Sequence, residues 1–304
     1  MSWLGLALFA AFLLATTNFI ETLLLTKLTH DQSAVTLTIL GGIASIPFVL
    51  VFALIARDQL WHFGLCHAAA ALFAGLLLIM AYYLYFRSLA LADMSLVSAL
   101  FQLVIVFNFA FGLLWLHEHL NWQQLAGVGI IIVGAVTLNL EMEGARITFK
   151  RQVFFLMCAA SILIALSNVI FKTVAKETSY LPTQFFEYAA AALASLFLLA
   201  VHRRGRAGFM SILRGRGHLA FGLSAFNEVV TLGAVMAMSY AFLLAPIAIV
   251  QAAMSTQAVY LVVFGFICTR WFPQLLQENI SRNHLLYKFA SIAIIVAGTI
   301  VLAI

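Results

Sequence analysis

Ile131-Ile132-Val133-Gly134 lies inside one apolar run, Trp122–Leu140, and Ile295-Val296-Ala297-Gly298 lies inside another, Leu285–Ile304, 164 positions later. A helix crossing the hydrocarbon core of a bilayer needs about 20 apolar residues, and both runs approach that length. Outward from them, eight more such runs cover the chain: Ser2–Leu25, Ala34–Ala56, Gly64–Phe86, Asp93–Leu116, Gln152–Thr173, Pro182–Val201, His218–Phe242 and Pro246–Cys268. In chain order these are spans 1 to 10. A β-barrel is excluded because its strands would alternate polar and apolar residues.

The composition agrees. Of 304 residues, 64% are hydrophobic and 9% charged, too little polar surface for a soluble protein of this size. The net charge of +5 is carried by short basic stretches between apolar runs, a pattern of topology signals and anionic headgroups in which no nucleic-acid partner is expected. Cys66, Cys158 and Cys268 are far apart in apolar sequence, so no disulfide framework or metal knuckle is expected. The connections His202–Gly217 and Thr269–His284 are the longest, and both read as short polar, basic links.

Three collinear matches relate the two halves. Asn18-Phe19-Ile20 in span 1 matches Asn168-Val169-Ile170 in span 6. Leu89-Ala90-Leu91-Ala92-Asp93 matches Phe242-Leu243-Leu244-Ala245-Pro246, entering spans 4 and 9. The Ile131–Gly134 and Ile295–Gly298 strings match spans 5 and 10. Five spans per unit is an odd number, so the second unit must enter the membrane from the opposite side. The expected fold is therefore an all-α membrane protein of ten transmembrane helices, with residues 1–144 and 145–304 as inverted five-helix repeats and a site at their interface.

The stretch Leu113-Leu114-Trp115-Leu116-His117-Glu118, followed by Trp122-Gln123-Gln124-Leu125-Ala126-Gly127 and the Ile131–Gly134 run, resembles the EamA branch of the drug/metabolite transporter superfamily. That resemblance covers nearly the whole chain. It implies an acidic residue closing span 4, a glycine-rich span 5, and an Asn in the first span of each half, here Asn18 and Asn168. The family often has a proline inside spans 4 and 9, where this chain has Val104 and Thr256.

The location expected is a bacterial-type inner membrane, multi-pass. Most Lys and Arg residues follow the odd-numbered spans, whereas the other side holds Arg57, Lys172 and Lys176. The positive-inside rule then puts both termini outside the cytoplasm, while the resemblance implies cytoplasmic termini.

Ionisable side chains at membrane depth are costly and mark function by default. Glu228 sits midway along span 8, Glu187 near the start of span 7, and Glu21 late in span 1. Lys172 is late in span 6, and Arg87 closes span 3. Structural ion pairing, for instance of Glu228 with Lys172 or Arg87, is the rival reading. Asn18, Asn168, Asn227, Gln102 and Gln251 should face protein or a cavity because lipid offers them no partner. Tyr82 and Tyr83 on span 3 supply aromatic faces, which with carboxylates suit an amine cation, whereas amides and hydroxyls suit a zwitterion such as an amino acid. The histidines, among them His62, His67, His117 and His119, lack zinc-ligand spacing, and no nucleotide or cofactor motif is present. Pro47, next to Gly41-Gly42 in span 2, marks either a hinge or close packing.

These features predict a secondary active exporter of a small organic metabolite, amino acid or amine-like, working by alternating access with protons as a candidate coupling partner at Glu228 or Glu187. No oligomer is required by this reading. A flippase for a lipid-linked or phosphorylated metabolite would want basic groups in the cavity, with Arg87 and Lys172 as candidates. An intramembrane enzyme would need a dyad or metal triad at membrane depth, which the sequence lacks.

Overall fold

The computed structural model describes residues 2–28, 34–91, 97, 100–101, 103–139, 151–214, 217–271 and 282–303. In chain order its helices are α1 Trp3–Leu28, α2 Ala34–Ala44, α3 Ile46–Ile55, α4 Arg57–Leu60, α5 Leu65–Leu89, α6 Leu103–Leu114 and α7 Trp122–Asn139. They continue as α8 Arg151–Glu177, α9 Tyr180–Val201, α10 Arg203–Arg214, α11 Gly217–Leu244, α12 Ile247–Met254, α13 Gln257–Trp271 and α14 Arg282–Ala303. An apolar backbone segment in lipid has no water to bond, so the helix is the only open form that satisfies every N–H and C=O. Among the described residues, seven segments are long and apolar enough to cross a membrane, and three shorter apolar helices fall where spans 4, 5 and 10 were expected. Leu54, Phe155, Phe197 and Ile300 are largely exposed, an outward apolar surface that a bilayer covers and water does not.

Two spans are interrupted. Pro47 lies in the first turn of α3, because a proline cannot donate to the carbonyl four residues earlier and so cannot continue α2. Ser45 forms the turn, its hydroxyl donating to Gly42 O at 2.7 Å. The glycine pair before it serves packing: a Cβ on Gly42 would overlap Ser195 and approach Ala191 O at 2.8 Å. Span 9 breaks at Ser255-Thr256, where Thr256 donates its hydroxyl to Ala253 O at 2.8 Å and the backbone tightens to Ser255 N–Ala252 O at 3.0 Å. The hydroxyl and the tightened turn interrupt this helix in a place where the family resemblance led one to expect proline.

Helix pairing organises the core. Small residues bring α1 and α11 together, with Ala7, Ala10, Ala11, Ala237 and Ala241 buried in one cluster, as expected where lipid removes the hydrophobic drive and close approach supplies the attraction. α5 packs extensively on α8 and α9, α6 on α8 and α12, and α1 also on α12 and α13. α9 covers α2 and α3, whereas α2 and α11 meet only lightly. α7 and α14 pack on one another. A Cβ on Gly134 would sit 3.0 Å from Ile295 N, and a Cβ on Gly298 would sit 3.0 Å from Ile131 N. The order of these contacts reverses along the two helices, so they cross antiparallel.

The connection expected as a polar link between spans 7 and 8 is instead a helix. α10 places Gly205 and Phe209 in the protein, with Val35 and Ile39 of α2 each 2.9 Å from a Cβ built on Gly205. Its 3.6-residue period segregates Phe209, Ile212 and Leu213 from Arg203, Arg204 and Arg214, a pattern that a count of charges conceals.

Candidate functional site

Glu187 and Glu228 each lie at a contact between two helices. Glu187, on α9, is 7% exposed and accepts a hydrogen bond from Ser167 Oγ at 3.3 Å. The same hydroxyl lies 2.9 Å from Ala74 O on α5. Its backbone carbonyl packs so close to Gly75 that a Cβ there would collide with it, which is what lets α5 and α9 approach. Glu228, on α11, is half-buried, and its Oε1 would be 3.6 Å from a Cβ on Gly41 of α2. Each carboxylate therefore sits on a helix that faces a glycine of a partner helix.

Aromatic groups lie on the same helices. Tyr188 lies within electrostatic range of Glu187, Glu228, Tyr82 and Tyr180, and its ring is 5.7 Å from that of Phe52. Tyr180 stacks edge-on with Tyr240 at 5.6 Å, and its hydroxyl is 2.9 Å from both Met236 O and Ser239 Oγ. Gln184 donates to Ser239 Oγ at 2.8 Å, while its Oε1 has no hydrogen-bond partner among the described residues. Tyr82 is 38% exposed.

Lys172 belongs elsewhere. It is 2% exposed and donates to Glu118 Oε1 at 2.5 Å and to Ala245 O at 2.6 Å. The other carboxylate oxygen of Glu118 accepts from Ile247 N at 3.0 Å. The acid closing span 4 thus caps the start of α12 and neutralises the Lys of α8, so Lys172, one of the two partners that the rival reading offered Glu228, is paired with Glu118 instead. Gly112 makes room for that carboxylate, since a Cβ there would come within 2.8 Å of Glu118 Oε2.

The remaining sequence candidates are dispersed. Asn168 donates to Asn108 Oδ1 at 3.3 Å, tying α8 to α6. Asn18 is half-buried on α1 and Asn227 buried on α11, next to Glu228. Tyr83 is half-buried on α5, Arg87 is exposed in its last turn, and Gln251 is half-buried on α12. Gln102 and the side chain of Glu21 lie outside the described residues. Reading the sequence missed Tyr188, Tyr180, Ser167 and Ser239 as site residues. Tyr188 had a signal, its place beside Glu187; the serines had none, because a hydroxyl in an apolar helix is commonplace. His67 pairs with Glu177 at 3.2 Å, and His62 lies 3.0 Å from Asp58 O.

Carboxylates within apolar helices of a membrane protein are costly and mark candidate sites. The sequence model of the EamA-like transporter family matches residues 1–140 of 304, a likeness over the first part of the chain that supports membership of the drug/metabolite transporter superfamily. A solved structure titled only "Crystal structure of protein" superposes with a TM-score of 0.61 at 13% identity, covering 98% of this chain and 95% of that chain. At that identity the likeness concerns the fold alone. No curated protein sequence matches.

Proposed function

We propose that this protein is a secondary active exporter of a small amine-like organic cation across a bacterial-type inner membrane. It works by alternating access between two inverted five-helix halves, residues 1–144 and 145–304. The observation that carries this reading is a pair of acidic side chains within apolar helices, Glu187 at 7% exposure and Glu228 half-buried, with Tyr188 next to Glu187 in the same helix, because carboxylates and aromatic faces together stabilise an ammonium group in a dry site.

Helix pairing supports the inverted halves. Exchanging span 1 with 6, 3 with 8, 4 with 9 and 5 with 10 turns the α1–α11 contact into α8–α5, and α6–α8 into α12/α13–α1, all of them extensive. The same exchange maps the reciprocal Gly134–Ile295 and Gly298–Ile131 contacts onto one another. The symmetry is incomplete: α5–α9 is tightly packed and its counterpart α11–α2 is loose, and α2 packs on α5 more closely than α9 packs on α11. Alternating access requires such an inequality, one interface closed while its equivalent is open. Glu187 sits in the tight contact and Glu228 in the loose one, so exchange of the two states would bury Glu228 and release Glu187. Protons competing with the amine at these carboxylates couple the two fluxes.

The flippase reading needs free basic groups, but Lys172 is engaged by Glu118 and Ala245, and Arg87 stands exposed at the end of α5. Uptake into proteoliposomes across amines, zwitterionic amino acids and phosphorylated solutes, with an imposed pH gradient, tests the proposal. Amines should accumulate against the gradient; transport confined to phosphorylated solutes would overturn it.

A further inference from the structure

α10 carries a feature that transport does not use. Among the described residues, Arg203, Arg204 and Arg214 are exposed and form no ion pair, while Arg206 donates to Ala200 O at 3.3 Å, fastening the helix to the end of α9. At 100° per residue the three exposed arginines share one arc, and Phe209, Ile212 and Leu213 share the opposite arc. Phe209 is buried and Leu213 is 40% exposed, so the apolar arc is only partly covered by protein. The helix also touches α2, α9 and α11, and Thr36 of α2 reaches Gly205 O at 3.5 Å. An amphipathic helix that joins membrane-spanning helices and turns unpaired arginines outward lies at the level of lipid headgroups.

We infer that α10 is an in-plane interfacial helix whose Arg203, Arg204 and Arg214 bind the phosphates of anionic phospholipids. Charge complementarity selects the occupant: a cationic arc at the edge of an apolar one matches an anionic leaflet and not a soluble acidic protein, which would leave Leu213 in water. α10 also touches both α2 and α11, the two helices of the loose contact.

The full-length protein is titrated with phosphatidylglycerol or phosphatidylcholine, and bound lipid is counted by native mass spectrometry. Wild type should prefer phosphatidylglycerol, with added salt weakening the preference. An arginine near an anionic surface contributes about fivefold, so R203Q/R204Q/R214Q should weaken phosphatidylglycerol binding by more than about tenfold. The variant R203K/R204K/R214K should retain it, which keeps the test decisive if the Gln variant misfolds, and Arg57→Gln should leave it unchanged. Undiminished binding by a folded Gln variant, loss in the Lys variant, equal loss in Arg57→Gln, or displacement of the lipid by inorganic phosphate at equal concentration would each overturn the assignment.

Discussion

Glu118→Gln should be the most destabilising single change at the end of the helices that holds Lys172. The amide keeps one acceptor but turns an NH2 towards one of two donors, Lys172 Nζ or Ile247 N, which the carboxylate satisfies at 2.5 Å and 3.0 Å. It also leaves an ammonium that is 2% exposed without a counter-charge. Removing one partner of a buried ion pair costs about 3–5 kcal/mol. Lys172→Met costs less, about 1–3 kcal/mol for an unmet Ala245 carbonyl, because Glu118 keeps the Ile247 N–H and the positive end of α12. At about 2 °C per kcal/mol for a chain of this size, Glu118→Gln should lower the melting temperature by about 6–10 °C. The combination Glu118→Gln/Lys172→Met should lose less than the sum, since neither charge is then stranded. Thermal melts of the purified protein in detergent, read by size-exclusion recovery, measure all three. If the two single losses add to within about 0.5 kcal/mol, the groups do not interact and the pairing is refuted.

Glu228→Gln and Glu187→Gln should each abolish pH-driven amine accumulation in proteoliposomes while leaving the fold intact by circular dichroism; full flux with an unchanged pH profile in both would remove the carboxylates from the mechanism. Gly134→Leu and Gly298→Leu should destabilise alike, by about 1–3 kcal/mol each from overpacking, because each glycine meets the equivalent backbone nitrogen of the other helix, Ile295 N and Ile131 N; a large disparity in melting temperature argues against a two-fold pairing. Cys66, exposed at the start of α5, should react with a membrane-impermeant maleimide in intact cells if the charge asymmetry sets the orientation, and only in inverted vesicles if the termini are cytoplasmic.

Hydropathy and length alone determined the helical membrane class, because an apolar run near 20 residues has one way to satisfy its backbone in lipid. The Ile131–Gly134 and Ile295–Gly298 strings further marked two glycines that the structure places in reciprocal contact. The sequence also singled out Glu187, Glu228 and Lys172, since a charge inside an apolar run is conspicuous without any knowledge of its neighbours. What it left open was which charge meets which. Glu118 and Lys172 are 54 positions apart and Glu187 and Ser167 lie on different helices, and no local periodicity encodes a contact between helices. The same holds for α10: its residues announce a basic link by composition, and only docking of Phe209 and Gly205 against neighbouring helices turns them into one ordered face. Span breaks divide in the same way. Pro47 is legible because its ring forbids the preceding turn wherever it occurs, whereas the break at Ser255-Thr256 depends on a hydroxyl bonding back to Ala253, a choice among local bonds that packing makes and sequence does not.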